Sequence, residues 1–367
     1  MKVYMILTNS FSPDVRVYKE AKYLVEIGLN VTILCWDRCK ESNLPKIEII
    51  DGISIVRLSK PSKLGSGWKQ LPAYFGFIKL CRSYVKQNPC DILHCHDLDG
   101  VLAGNIASNG KIPYVFDMHE FYETGGFIKR AIIRGTVKSF IKRSIATLCV
   151  SSGVINDYYP KQKHKLSLLK NYPDSNFICS LPKTDSTVLR IGYHGTVRNQ
   201  LQEFEALFEA CKDFEDVRID INGGGIDLDK LEQLSENYKN VFVHGQYDGI
   251  SESNKLYQNT DVLFLGYNPK YKNYQVEFEP VKYFEAILTS TPIIATKSLN
   301  IGIQTVKNTF GIAVDTKKSE DIKSAVSTFK ENSEFLSLCR ENMKSAASLY
   351  DWNEAVKILS KIYLKKE

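Results

Sequence analysis

Long apolar runs are missing from this chain. No stretch reaches the roughly 18 consecutive apolar residues of a helical membrane span. The opening MKVYMILTNS has neither the apolar core nor the small-residue cleavage site of a secretory signal. A cytosolic protein is therefore expected. The cysteines are odd in number, nine, and form no C-x-x-C pair. Most lie in apolar runs such as ILCW and TLCV, where a thiol behaves as a small buried hydrophobe, which argues against a disulfide framework. Glycine is absent from the first turn, TNSFSPDVR, and Gly223-Gly224-Gly225 lacks the third glycine of a dinucleotide fingerprint because Leu228 stands in its place. Both absences count against an NAD site.

What is present is enough for two cores: 367 residues, 43% hydrophobic. The net charge of +6 hides an asymmetry, since residues 1–170 carry +11 and residues 171–367 carry −5 by the same count of Lys and Arg against Asp and Glu. Two segments hold six basic residues each and no acid, Lys60 to Lys86 and Phe127 to Ile145. Both interleave bulky apolar residues, among them Trp68, Tyr74, Phe75, Phe127, Ile128 and Phe140. That composition suits an anionic membrane surface or an anionic substrate, and equally a solvated helix face over an ordinary core.

The chain opens KVYMILT, then an amphipathic segment VRVYKEAKYLVEIG, then NVTILCW, a β-α-β unit that predicts a parallel sheet. Alternation continues through ISIVRL, DILHCH, YVFDM and TLCVS. After the polar, proline-containing stretch 171–187 it restarts with LRIGYHG, VRIDING, NVFVHG, DVLFLG, PIIAT and GIAVD. The restart predicts an α/β protein with two Rossmann-like, doubly wound domains facing each other across a cleft, 1–170 and 188–350, joined by 171–187. A last helix, about 351–366, has Asp351 and Glu354 spaced like a capping box and an apolar stripe of Val356, Leu359, Ile362 and Tyr363. It is a candidate to pack back on the first domain.

The most informative stretch is EFEPVKYFEAILTSTP, Glu277 to Pro292. Pro280 suits the first position of a helix, which makes Glu279 the expected cap, and Lys282 and Glu285 share a face. Free N–H groups at the helix start attract phosphate and Lys282 adds a cation, while Glu285 is suited to accept hydrogen bonds from sugar hydroxyls. A plain solvated ion pair between Lys282 and Glu285 fits the same spacing. With Glu277, seven intervening residues, Glu285 and a following Thr-Pro, the stretch resembles the signature of glycosyltransferase family 4, retaining enzymes of the GT-B fold that use nucleotide-sugars. FSPDVRVYKEAKYLVEIG, DILHCHD, YVFDMHE, CVSS, YHGTVR and the terminal Trp352 and Tyr363 fit in the family's order, so the resemblance spans nearly the whole chain.

The resemblance implies that the carboxy-terminal domain holds the nucleotide, with Glu285 on the ribose and Glu277 near the donor sugar. Arg198 and Lys282 would hold the diphosphate beside Gly195, an electrostatic catalysis that needs no metal or cofactor. His119 matches the active-site histidine, which contacts the transferred sugar or acceptor, and Asp14, Arg16, His96 and Glu120 become candidate acceptor or cleft residues. The implied donor is a UDP-sugar rather than a GDP-sugar, the transferred group a hexose or N-acetylhexosamine, and the acceptor a cell-surface polysaccharide or lipid-linked glycan. The chain departs from the family twice: NQLQEFE stands where a lysine usually follows the arginine loop, and Ser290 replaces the glycine before Thr-Pro.

Three other readings compete. His94 and His96 alternate onto one strand face, but with Cys90 they have no recognised zinc spacing, so a structural or cleft-lining role is expected. Asp97-Leu98-Asp99 resembles the metal motif of the single-domain GT-A fold, which the two-domain pattern contradicts. A nucleotide-sugar 2-epimerase of related fold remains the alternative activity. Nucleic acid is not expected as a partner, because only the basic segments favour it. The inner face of the plasma membrane is the site those segments suggest for a peripheral enzyme.

Overall fold

A computed structural model of the chain describes residues 1–11, 14–39, 43–63, 67–123, 126–184, 186–249, 251–271, 274 and 279–364. It divides into two compact units, Met1–Lys170 with Val356–Glu367, and Asn171–Ala355.

In the first unit β1 (Lys2–Leu7) leads into α1 (Val15–Glu26) and β2 (Asn30–Asp37), the last pairing parallel with β1 from Lys2 to Leu7. Asp14 caps α1, accepting a hydrogen bond from the Val17 N–H at 3.2 Å. Next come β3 (Ile47–Ile50) and β4 (Ile53–Ser59), an antiparallel hairpin where only one strand was expected. Its turn is Asp51-Gly52, both at positive φ (49° and 79°), and an Asp-Gly between two β-branched runs is the signal that identifies it. Ile47 and Ile49 are 70% and 72% exposed at this sheet edge, so β3 has no buried face for a pattern search to find. The unit continues with α2 (Leu71–Gln87), β5 (Ile92–His96), α3 (Asp97–Ala107), β6 (Tyr114–Met118), α4 (Phe127–Arg143), β7 (Ala146–Cys149) and β8 (Leu166–Leu168).

Its strand order is β3-β4-β2-β1-β5-β6-β7-β8. The chain therefore reverses direction across the sheet at β1 and β5, where loops diverge and a ligand fits against strand carboxyl ends. One continuous core joins α2, α3 and α4 on one side of this sheet through Phe77, Val101 and Phe140, with Phe77 stacked on Trp36 at 5.5 Å between ring centroids. Burying each such ring contributes about 2–3 kcal/mol.

The second unit repeats the logic: β9 (Leu189–His194), α5 (Leu201–Cys211), β10 (Val217–Asn222), α6 (Leu228–Ser235), β11 (Val241–Gly245), α7 (Ser253–Gln258), β12 (Val262–Leu265), α8 (Val281–Leu288), β13 (Ile293–Thr296), α9 (Asn300–Lys307), β14 (Gly311–Val314), α10 (Ser319–Glu331), α11 (Ser333–Ala346) and α12 (Trp352–Ala355). The order β11-β10-β9-β12-β13-β14 puts its reversal between β9 and β12. Pro280, not Glu279, occupies the cap of α8, with an extended ψ of 147°. Because proline offers no side-chain acceptor, the first turn of α8 has no side-chain cap. At the other end Ser290 adopts φ 51°, the left-handed turn that the expected glycine would make at lower cost.

The last helix is also not continuous. Asp351 accepts from Asn353 N–H at 3.2 Å and from the Ser175 hydroxyl at 2.6 Å, starting only the single turn of α12. Of the stripe, Leu359 and Tyr363 are buried in the separate α13 (Ile358–Tyr363) and Val356 is buried just before it, all in the first unit.

Gly223 has its backbone committed within the fold. Its N–H donates to Gly245 O at 2.6 Å, Gly195 N–H reaches Asn222 O and Val197 N–H reaches Gly224 O, both at 2.8 Å. The loops after β9 and β10 thus lock backbone to backbone. A Cβ on Gly223 would collide with the Gly195 carbonyl, at a φ of 146°. Gly223→Ala is expected to lower Tm by at least about 2 °C in calorimetry, since a strained backbone position costs roughly 1–3 kcal/mol before any clash. Gly249→Ala, where nothing lies within 4 Å of the new Cβ, should leave Tm unchanged.

Candidate active site

In the second unit the reversal point between β9 and β12 gathers Lys282, Glu285 and the Gly195 loop. The Lys282 ammonium lies 3.9 Å from the centroid of the Tyr193 ring and 5.9 Å from that of Tyr267, in cation–π contact. It occupies the space a Cβ at Gly195 would need, at a φ of 143° that already favours glycine. Enclosure pushes the Lys282 pKa down to about 7, with Glu285 pulling the other way. The Tyr257 hydroxyl donates to Glu285 Oε2 at 2.9 Å, and burial, then Glu285, holds that phenol far above its ordinary pKa.

His194 lies beneath this group. Burial, and then Lys282, push its pKa down to about 3, so the ring is neutral. Asn222 Nδ2 donates to its Nδ1 at 3.3 Å, and its Nε2 faces Thr260 Oγ1 at 2.9 Å. Because Thr260 Oγ1 itself donates to Leu256 O, the proton belongs on His194 Nε2. The second unit thus offers a cation, Lys282, half-charged at neutrality and walled by tyrosines, with a carboxylate one helical turn away. Such a set can neutralise an anion and accept hydrogen bonds from hydroxyl groups.

Arg198 is exposed on the same loop as Gly195. Burial raises the Tyr274 pKa and Arg198 opposes the shift; Tyr274 in turn packs on Tyr267 at 5.1 Å. Gln200, in the stretch that replaces the expected lysine, is buried, accepting from the Tyr193 hydroxyl at 2.8 Å and donating to Gly266 O at 2.7 Å. Glu277 lies outside the described residues.

In the first unit the carboxyl ends of β5 and β6 form a second centre around Asp117, which is fully buried. Asp117 Oδ1 accepts from Arg16 at 2.9 Å. Its Oδ2 lies 2.8 Å from His119 Nε2, 3.3 Å from His96 Nδ1 and 3.9 Å from His94 Nε2. Desolvation opposes the charge on Asp117, but Arg16 and His119 overcome it and hold the carboxyl well below its ordinary range. For His119 burial is the largest influence and lowers its pKa, yet Asp117 raises it to about 9. His96 is pushed down by burial. Asp97 takes a left-handed φ of 62° and accepts from the His119 N–H at 3.2 Å and the Tyr122 hydroxyl at 2.6 Å. Asp99 accepts from the Thr8 hydroxyl at 2.6 Å, so the two carboxylates of the Asp-x-Asp serve different partners.

The expected residues of this unit separate accordingly. His96 and His119 are adjacent, 3.1 Å apart. Arg16 is buried, tied to Asp117, to Glu20 at 3.0 Å and to Leu169 O at 3.1 Å. Asp14 acts as a helix cap and Glu120 is exposed. Ligand atoms of Glu20, His94, His96 and Asp117 lie within 4.8 Å of one another, a metal-like donor set. The Arg16 guanidinium against both carboxylates opposes a dication there. Sequence reasoning missed Asp117, whose signal was an acid in the middle of YVFDM, and Glu20, one helical turn after Arg16.

Two family models match the chain: "Glycosyl transferase 4-like domain" over residues 13–163 and "Glycosyl transferases group 1" over residues 175–346. No curated protein matches it by sequence. Among solved structures, a sucrose-phosphate synthase from Thermosynechococcus elongatus superposes with a TM-score of 0.81 at 14% identity, covering 99% of this chain and 98% of that one. Anabaena HepE in complex with UDP and glucose gives 0.70 at 13% identity, with 100% of both chains covered. A glycosyltransferase from Rickettsia africae gives 0.72 at 15%, covering 100% of this chain and 99% of that one. At such identities the likeness establishes the fold, and the two family models, one on each half, carry the assignment: the chain is a glycosyltransferase of GT-B fold.

Proposed function

We propose that the enzyme transfers a hexose or N-acetylhexosamine from a UDP-sugar, with retention of configuration, to a cell-surface polysaccharide or lipid-linked glycan. The observation that carries this reading is the Lys282 ammonium set against the Gly195 loop, beside Glu285 and Tyr257. In this reading Lys282 and Arg198 neutralise the diphosphate as the glycosidic bond breaks, Glu285 holds the ribose, Glu277 lies near the donor sugar, and His119 contacts the transferred group. The solved HepE complexes with UDP and with UDP-glucose support the choice of uridine. The epimerase alternative is not favoured by the family models, and incubation with UDP-glucose alone should yield no epimer.

Because free Lys282 titrates at about 7 and a bound diphosphate would raise it, UDP binding at pH 8 should take up as much as one proton. Affinity should then fall by up to tenfold per pH unit above 7. Calorimetric titration with UDP in buffers of different ionisation enthalpy reads the uptake directly. Lys282→Arg should bind without uptake, because arginine is always charged. Wild-type binding with no proton uptake would remove Lys282 from the diphosphate site.

Glu285→Ala is expected to weaken UDP about 10- to 100-fold, the loss of a hydrogen bond to a charged acceptor worth roughly 1.5–3 kcal/mol. Unchanged affinity in the same calorimeter would dissociate Glu285 from the ribose.

We further propose that the first unit rests on anionic lipid. Among the described residues no helix is long and apolar enough to cross a membrane. The basic segments nevertheless present Trp68, Phe127, Ile128 and Ile132 at 87%, 80%, 75% and 65% exposure. Lys69, Lys79, Lys129 and Lys142 are exposed among them, each worth about 1 kcal/mol at an anionic surface. The protein should float with phosphatidylglycerol vesicles at low salt and be released by 0.5 M salt, on the order of the concentration that shortens screening to a few Å. The Trp68→Ala/Phe127→Ala/Ile128→Ala variant should float poorly, and wild type that stays at the bottom of the gradient would end the membrane proposal.

A further inference from the structure

The Asp117 centre extends beyond the residues that a sugar or acceptor would meet. Tyr363, the last residue of α13, is buried, and its hydroxyl lies 2.8 Å from His94 Nδ1 across 269 positions of sequence. The two rings are nearly parallel, 6.1 Å apart at 15°. His94 then stacks on His96 at 4.7 Å and 18°, and His96 meets the His119 ring edge-on at 5.1 Å. Four aromatic rings are thus in series from the C-terminal helix to His119.

We propose that Tyr363 is a positioning residue for His119, acting through His94, His96 and Asp117. The proposal rests on the reading of His119 as the group that contacts the transferred sugar. The chain of dependence is one of filled partners. His94 has two ring nitrogens, both fully buried: Nδ1 faces Tyr363, and Nε2 faces Glu20 Oε2 at 3.3 Å and Asp117 Oδ2 at 3.9 Å. As long as the tyrosine hydroxyl satisfies Nδ1, the other nitrogen keeps to the carboxylates and the ring keeps its plane against His96. His96 Nδ1 shares Asp117 Oδ2 with His119 Nε2, so the orientation of one imidazole limits that of the next. Arg16 holds Asp117 Oδ1 and Glu20 Oε1 in place and closes the network on the side of α1.

The other ionisable groups at the centre are consistent with a fixed arrangement. Asp97 Oδ2 lies 3.5 Å from His119 Nδ1, the Tyr122 hydroxyl is bound to Asp97, and Cys149 on β7 has its thiol pushed up to about 12, mainly by burial. None of these reaches Tyr363. A phenylalanine would fill the same volume beside His94, so the hydroxyl is what the site selects at this position. Removing it leaves a buried nitrogen without its partner, which the ring can relieve only by turning or by exchanging its tautomer.

The test uses the full chain carrying 15N-labelled histidine. In Tyr363→Phe the 15N resonances of both His94 and His119 should move, although His119 is three rings away. His94→Gln, a second route into the same network should Tyr363→Phe not fold, should also move the His119 resonances. Tyr363→Phe added to His94→Gln should then move them no further. His119 resonances unchanged in both single variants would overturn the proposal, as would equal additional shifts in the double variant. In turnover of UDP-glucose followed by UDP release, Tyr363→Phe should lower kcat about 5-fold with KM for the donor within 2-fold. In a His119→Ala background the same change should alter kcat by less than 2-fold, and an undiminished 5-fold loss there would show that Tyr363 acts independently of His119. If His119→Ala alone leaves turnover intact, the sugar-contact reading of His119 fails, while the resonance shifts still decide whether Tyr363 positions it.

Discussion

A charge removed from water needs partners within a few ångströms, and Asp117 imposes that condition on the whole carboxyl-terminal edge of the first sheet. It is one acid inside a five-residue strand that is otherwise apolar and fully buried. To keep it ionised the unit brings Arg16 from α1, His94 and His96 from β5 and His119 from just after β6 to its two oxygens. Each of these residues is consequently held by electrostatics as well as by packing. His119 gains a raised pKa and a set orientation while 19% of its side chain still reaches solvent.

The second unit solves the converse problem. There a cation is enclosed, and the surroundings do not fully neutralise it: Lys282 is faced by the rings of Tyr193 and Tyr267, while Glu285 shares its nearest charge with the Tyr257 hydroxyl. Burial depresses the Lys282 pKa, and Glu285 only partly offsets it. An anion placed beside the ammonium would complete its set of partners. Gly195 and Gly223 serve this end indirectly, one by vacating space for the ammonium and the other by letting two loops lock together beneath it.

Much of this was legible along the chain. The alternation of β-branched runs with amphipathic segments was enough to establish two α/β units, because parallel strands buried on both faces leave a strong local pattern. The pairing of Lys282 with Glu285 followed from helical spacing. The Asp51-Gly52 hairpin escaped because its outer strand is half exposed, and the end of α8 differed because a proline cap leaves the preceding glutamate outside the helix.

What the sequence determined by itself was the order of elements, the basic character of the first 170 residues and the residue types that suit a nucleotide-sugar. Only the tertiary structure decided that Arg16 is a buried counter-ion to Asp117, that Tyr193 and Tyr257 flank the nucleotide candidates, and that Tyr363 closes on His94. The physical reason is the range of the interactions concerned. Secondary structure is set by neighbours three or four residues away, whereas ion pairs and hydrogen bonds between strand ends join positions 101 and 269 residues apart, and no periodicity in a single sequence encodes which of those pairs will meet.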